Sequence, residues 1–416
     1  MSTIHDREPL APDRPPAEDA APARHHRWSA PRVAVLLLAI VFFTLPGLAY
    51  LAGARAQQIE NRPLSTRPAL SEGWKVFGHL NRWTSDHLPL RGSAVRVNAD
   101  LDQAVFDEVP AYGGGGRPEV ISAGGGWLFW AQDVQWACTP TQPVATTLRN
   151  ATRLARMVRA TGARYVLLVP PDKTSVETAE LPGRYPGKAC SRTAKAAFWS
   201  QIASSPPEGY ADLYRPLLAL RAQLGRPVYK SKDTHWAPLA AGVYARSVVD
   251  AVEPGLWDAG AFVPTGRRSE LGDLTRFTGV PADNTYDDWA VRRPGVTAYP
   301  QVAYTPGKVG SLGVARLKAT SEAGARVYPQ PTLTIADSFN GVSQSLITPY
   351  LADITSVSVN SAPKDPRDVA RMILSSRAVV VESVERAFAT GRAPLFSTAF
   401  LDSLQRELDA QRRGHS

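Results

Sequence analysis

From Val33 to Ala54 the chain carries no charged residue, and this run, VAVLLLAIVFFTLPGLAYLAGA, restricts the fold more than any other stretch. Roughly 20 apolar residues suffice for a helix to cross the hydrocarbon of a bilayer. No water is present there to satisfy backbone polar groups, so a segment that enters must be helical. Pro46 is expected to kink such a helix without ending it. Ala52, Ala54 and Ala56 resemble a signal-peptidase site, but the apolar run is longer than a signal peptide uses and a long tail precedes it. The run therefore reads as an uncleaved signal anchor. Arg24, Arg27 and Arg32 before it are nearly balanced by Arg55, Arg62 and Arg67 after it. The large region beyond, which holds both cysteines, sets the expected orientation, with the amino terminus in the cytoplasm and the bulk outside.

Residues 1–32 are rich in Pro, Ala, Arg and acidic side chains and have too few large apolar ones to order themselves. The expected organisation is a disordered cytoplasmic tail (1–32), a transmembrane signal anchor (33–54), a helical lead-in (55–110) and one large α/β domain (111–412). In the lead-in, Trp74, Phe77, Leu80 and Trp83 recur every three residues, as on one face of a helix. A second helix is expected after Pro89, carrying Val95, Val97, Leu101 and Val105. The formal net charge of +9 describes a basic surface that would suit an anionic polymer or lipid headgroups. The Lys and Arg are spread along the chain rather than gathered in a run, so a solvated surface is the plain reading and no nucleic-acid partner is expected.

The glycine-rich stretch YGGGGRPEVISAGGGWLFWAQD lacks the Lys-Ser/Thr of a phosphate-binding loop and reads as a hairpin with a strand through Trp127–Trp130. Helix and strand then alternate. Helices are expected at 146–161, 194–204, 210–224 and 238–252, the last with Pro238 in its first turn. Ala163–Pro171 (RYVLLVPP) is apolar almost throughout, as strands covered on both faces tend to be, and Pro227–Tyr229 reads as a short strand. Residues 254–332, rich in Gly, Pro and Asp, read as an irregular excursion or small β insertion. Strands at 332–335, 356–359 and 378–382 then alternate with helices at 342–352, 366–375 and 397–412. This order implies a three-layer α/β/α sandwich around a mostly parallel sheet.

Of seven histidines, His5, His25 and His26 lie in the tail and His415 at the end of the sequence. His79 and His87 fall in the lead-in, which leaves His235 in KDTHW as the candidate base. Asp233 stands two residues earlier, where a carboxylate can hold Nδ1–H and free Nε2 to take a proton. A helix-capping Asp beside a surface His would read the same. Ser338, in ADSFNG, follows an apolar strand where a helix begins, and reactive groups in open α/β sheets gather at the carboxyl ends of strands. Backbone amides at that junction point outward, so Ser338, Asn340 and Gly341 are the candidate oxyanion donors. Asp172 and Lys173, after another strand, either line the cleft or cap it. Outside the cytoplasm Cys138 and Cys190 are expected to form one disulfide; two separate buried thiols are the alternative, and their Cα separation decides. Nothing in this chemistry calls for a metal or a cofactor.

The blocks DHLPLRGSAVRVNADLD, GGGWLFW, VPPDKTSVETAELP, KDTHWAPLAAGVYA, LGDLTRFTG, ADSFNG and VVVESVERAF resemble the alginate O-acetyltransferase (AlgX/AlgJ-type) family of SGNH-hydrolase-like domains. The Asp-x-His before the Ser is the most specific point of likeness. The resemblance implies a Ser–His–Asp triad of Ser338, His235 and Asp233 in an exported domain that moves acetyl groups onto a polysaccharide hydroxyl. It further implies a membrane-bound O-acyltransferase as acetyl supplier. Ala336 departs from the family's Gly before Asp-Ser-Phe, and a positive φ there would strain an alanine. The chain ends soon after its last helix, so no separate carbohydrate-binding module is expected. An acetylesterase of the same fold and a non-catalytic polysaccharide-binding or scaffold protein are the competing readings.

Overall fold

The computed structural model describes residues 30–54, 65–90, 119–278, 281–299, 305–322 and 324–413. The expected tail up to residue 29 and the second lead-in helix around Val95–Val105 lie outside these residues. Among the described residues, 30–54 with 68–90 form one unit and 65–67 with 119–413 a second.

The first unit contains α1 (Ala30–Leu51) and α2 (Lys75–His87). The Val33–Leu51 part of α1 is long and apolar enough to cross a membrane, a property that a signal sequence shares. Pro46 lies inside the helix without ending it. Its large side chains are exposed all round, Phe42, Phe43 and Leu51 among them, which is costly in water and suits lipid.

The second unit opens with the hairpin β1 (Val120–Ala123) and β2 (Trp127–Trp130), its turn made by Gly125 and Gly126 at positive φ. Then come α3 (Gln132–Cys138), α4 (Val144–Arg159), β3 (Arg164–Leu168), the single turn α5 (Lys173–Val176), α6 (Lys188–Ser204), β4 (Tyr210–Ala211), α7 (Tyr214–Leu224) and α8 (Pro238–Val252). The strands β5 (Phe262–Leu271), β6 (Asp283–Val291), β7 (Val296–Tyr299), β8 (Thr305–Val309) and β9 (Leu312–Ser321) follow. The chain closes with β10 (Tyr328–Ala336), α9 (Ser338–Ile347), β11 (Leu351–Ser358), α10 (Pro366–Leu374), β12 (Ala378–Glu382), α11 (Glu385–Ala389) and α12 (Thr398–Arg413).

The main sheet runs β4-β3-β12-β10-β11-β9-β7, with β8 also paired to β9. From β4 to β11 every pairing is parallel; those of β9 with β11, β7 and β8 are antiparallel. Alternation along β3 builds the layers, since successive side chains point to opposite faces. Tyr165 and Leu167 pack with Leu154 of α4, Phe198 of α6, Val369 of α10 and Leu404 of α12. Val166 and Leu168 pack with Leu217 of α7, Val248 of α8 and Phe339 of α9. In α8, Pro238 opens the helix and Ala241, Ala245, Val248, Val249 and Val252 form the buried stripe. Each fully buried valine there contributes about 1.5–3 kcal/mol.

The structure departs from the sequence reading at several places, Tyr210–Ala211 among them, which is strand β4 rather than the start of a helix. Pro227–Tyr229 is not a strand of the sheet: the chain folds back at once, with only an isolated bridge from Tyr229 to Trp236. The region 254–332 contributes β9, which extends the main sheet, as well as the separate β5–β6 hairpin. The helix expected at 342–352 begins at Ser338 and stops at Ile347, because Asp337 caps its start and Pro349 follows its end.

Candidate active site

Ser338 is the first residue of α9, at the carboxyl end of β10 near the middle of the sheet. Asp337 caps the helix by accepting the Phe339 N–H at 2.9 Å, which fixes the turn and leaves Ser338 exposed. As the first helical amide, the Ser338 N–H has no acceptor among the described residues. Ala336 has no positive φ; Leu90 is the one non-glycine residue that does among those described. The alanine before Asp337 is therefore unstrained.

Asp233 and His235 sit in a short loop closed at its base by Lys230 N–H to His235 O, 3.2 Å, and Ala237 N–H to Val228 O, 2.8 Å. Within the loop one Asp233 oxygen accepts both the His235 backbone N–H, 2.9 Å, and Nδ1–H, 2.8 Å. A carboxylate only accepts, so this contact places the proton on Nδ1 and leaves Nε2 bare. Nε2 then faces Ser338 Oγ at 2.8 Å. The Phe339 ring, one residue beyond the serine, lies 5.0 Å from the imidazole and holds it from the other side. Burial acts to raise the pKa of Asp233, but the hydrogen bond and charge of His235, together with Lys230, prevail and hold it well below the usual carboxylate range.

Two further residues, Asp273 and Gly272, shape the loop, and neither was assigned a place in the site from the sequence. Asp273, in the LGDLT block, accepts the Thr234 N–H at 2.8 Å, donates its own amide to Asp233 at 3.2 Å, and brings a second carboxylate within 3.5 Å of His235 Nδ1. Burial and then the neighbouring Asp233 raise its pKa. Gly272 makes the approach possible, since a Cβ there would collide with the Lys232 carbonyl. Asp233, His235 and Asp273 offer ligand atoms within 4.8 Å of one another, a spacing that a metal ion would accept, although Thr234 and three backbone amides already occupy the carboxylate oxygens.

Lys173 neither lines the cleft nor caps it. It is buried and donates to the carbonyls of Leu128, Ser231 and Asp233 at 2.6, 2.7 and 3.1 Å, with the rings of Trp127 and Phe129 within 4.9 Å. It braces the Asp233–His235 loop against β2. Burial pushes its pKa down to about 7, against the pull of Asp233 and Asp273. Asp172 is likewise buried, in an ion cluster with Lys195 at 2.7 Å and Arg386 at 2.9 Å. Asp133 joins this cluster through Arg386, and burial followed by the charge of Asp172 pushes its carboxyl up to about 7.

Of the oxyanion donors read from the sequence, Asn340 and Gly341 carry hydrogen bonds of their own. Asn340 is buried, its Nδ2 donates to Gln344 at 2.7 Å and its Oδ1 accepts the Tyr244 hydroxyl at 3.0 Å. The Gly341 N–H is spent inside the helix on the Asp337 carbonyl, 3.3 Å away. The Ser338 amide has no such partner among the described residues. Cys138 and Cys190 are joined, with their Cα atoms 5.6 Å apart, and tie α3 to the first turn of α6.

A family model described as SGNH hydrolase-like domain, acetyltransferase AlgX matches residues 120–304, a stretch that includes Asp233 and His235 and ends before Ser338. Among curated proteins, a probable alginate O-acetylase AlgJ of Pseudomonas putida is 26% identical over 212 residues, 48% of this chain and 50% of that protein. Its counterpart in Pseudomonas syringae pv. tomato is 25% identical over 167 residues, 40% of either chain. The chain thus spans about half the length, or less, of the curated relatives it matches. The solved O-acetyltransferase domain of Pseudomonas putida AlgJ superposes with a TM-score of 0.42 at 18% identity, over 69% of this chain and 99% of that one. Bacillus cereus PatB1 superposes with a TM-score of 0.45 at 11% identity, over 67% and 98%. The fold itself rests on the sheet order and layers described above. Over residues 120–304 the chain is thus similar to the AlgX/AlgJ-type SGNH-hydrolase-like family.

Proposed function

We propose that this protein is a membrane-anchored, extracytoplasmic O-acetyltransferase that carries an acetyl group on Ser338 and delivers it to a hydroxyl of a cell-envelope or exported polysaccharide. The observation that carries the reading is the 2.8 Å approach of His235 Nε2 to Ser338 Oγ, with Asp233 behind the imidazole. His235 takes the Ser338 proton as Oγ bonds to the acetyl carbon, and passes it to the departing donor oxygen when the tetrahedral intermediate collapses. The same imidazole next removes a proton from the sugar hydroxyl as that oxygen attacks the acyl-serine, and returns it to Oγ. Asp233 keeps Nδ1 protonated and steadies the imidazolium; the Ser338 N–H receives the oxyanion. Helix α1 is the proposed anchor, and a membrane-bound O-acyltransferase the proposed supplier of acetyl groups at the membrane face.

The same three residues would serve an esterase, since transfer and hydrolysis differ in whether sugar or water reaches the acyl-enzyme. Full-length protein in detergent, given 4-nitrophenyl acetate with and without a uronic-acid oligosaccharide, separates the two. Acetylated oligosaccharide is the expected product. Ester consumption with no acetyl on any sugar would contradict the transferase reading.

A further inference from the structure

Glu382, the last residue of β12, is fully buried although it carries a carboxyl, and the mechanism above makes no use of it. β12 lies beside β10 in the sheet, so Glu382 and the nucleophile turn occupy the carboxyl ends of neighbouring parallel strands. One Glu382 oxygen accepts the Asp337 N–H at 2.8 Å. In return an Asp337 oxygen accepts the N–H of Val384, two residues past Glu382, at 2.9 Å. Each strand end thus holds the backbone of the other through a carboxyl group. The second Asp337 oxygen caps α9 through the Phe339 N–H, so the clasp and the cap share one side chain. Burial, and then the adjacent Asp337, push the Glu382 pKa well above the usual carboxylate range, which favours its neutral form. A fixed negative charge on Glu382, close to the Ser338 turn, would oppose a developing oxyanion, and the neutral form avoids it.

We propose that Glu382 is a positioning residue for the nucleophile: the crossed Glu382–Asp337 clasp sets the angle at which β10 passes into α9, and so aims Ser338 Oγ at His235 and its N–H at the oxyanion. The inference rests on the reading of Ser338 as the nucleophile. It requires a hydrogen-bond acceptor at residue 382 that carries no charge.

The test is the rate at which an aryl sulfonyl fluoride labels Ser338, followed by mass spectrometry on full-length protein in detergent, with the melting temperature recorded for each variant. Glu382→Gln, neutral and of the same shape, is expected to label within about threefold of the wild-type rate, whereas Glu382→Leu is expected to fall by about tenfold to 100-fold even in the folded fraction, as small misplacements of reacting groups do. Hydrolysis of 4-nitrophenyl acetate should show the same order, in kcat and with KM little changed. Wild-type labelling rates in folded Glu382→Leu would overturn the inference while leaving the nucleophile in place, as would a Glu382→Gln protein as slow as Glu382→Leu. Failure of the wild type itself to label at Ser338 would overturn the nucleophile reading and this inference with it.

Discussion

His235 Nε2 and Ser338 Oγ lie 2.8 Å apart across a separation of 103 residues. Two local devices bring them there: a loop closed at its base that holds the imidazole against Asp233, and a helix start capped by Asp337 that projects the serine. Both stand above the sheet at the carboxyl ends of its strands, the region where open α/β sheets collect reactive groups.

If base and nucleophile act as one unit, their losses do not add. Ser338→Ala and His235→Ala are each expected to lower kcat for an activated acetyl ester by about 10⁴-fold or more, and the double variant no further. Steady-state kinetics on the three proteins checks this; a double variant much slower than either single one would show two independent roles.

The two carboxylates near Nδ1 are not equivalent. Asp233→Asn is expected to cost about 10³- to 10⁴-fold in kcat, because an amide permits the wrong imidazole tautomer. Asp273→Asn, whose oxygens are shared with Thr234, is expected to cost about tenfold or less. Equal losses would make Asp273 the orienting acid in its place. The lowered Asp233 pKa contributes stability that is complete above the unfolded value near 4 and is lost as pH falls below it, so Asp233→Asn should flatten the acid limb of a stability curve.

Asn340 separates a structural from a catalytic role. Its side chain is committed to Tyr244 and Gln344, so Asn340→Ala is expected to lower stability by about 1–3 kcal/mol while kcat per folded molecule changes little. A loss of about 100-fold or more in kcat with unchanged melting would mark it as an oxyanion donor after all.

The brace at Lys173 has a pH signature. Its pKa is about 7 in the fold and near 10.4 when unfolded, so between those values the unfolded chain holds more protons and stability rises with pH. Relative to Lys173→Met, the wild type should gain about 1.5 kcal/mol in urea unfolding between pH 7 and pH 8.5. A difference that stays constant over that range would show that the three carbonyls hold the ammonium charged.

Much of this was legible in the sequence because it depends on local pattern. The runs 238–252 and 378–382 show their helix and strand limits through periodicity alone and are observed with the same limits. Asp233, His235 and Ser338 could be singled out because each stands in a recognisable junction. β5 and β6 were not readable as strands, since β5 is largely exposed and shows no buried alternation. Asp273 and Glu382 escaped, and Lys173 was noticed without its bracing role, for another reason: each acts through partners distant in sequence, at Thr234, at Asp337, and at Leu128 and Ser231. The roles of Asn340 and Gly341 are not legible in the sequence because a helix start offers free amides in principle, and which ones stay free depends on tertiary partners.

The central claim is that Ser338 carries the acetyl group, and covalent trapping tests it most directly. Full-length protein exposed briefly to an activated acetyl ester, quenched in acid and digested for mass spectrometry, should carry one acetyl group on Ser338, and none in His235→Ala. Acetyl on a different residue, or none on Ser338 while the ester is consumed, would contradict the account.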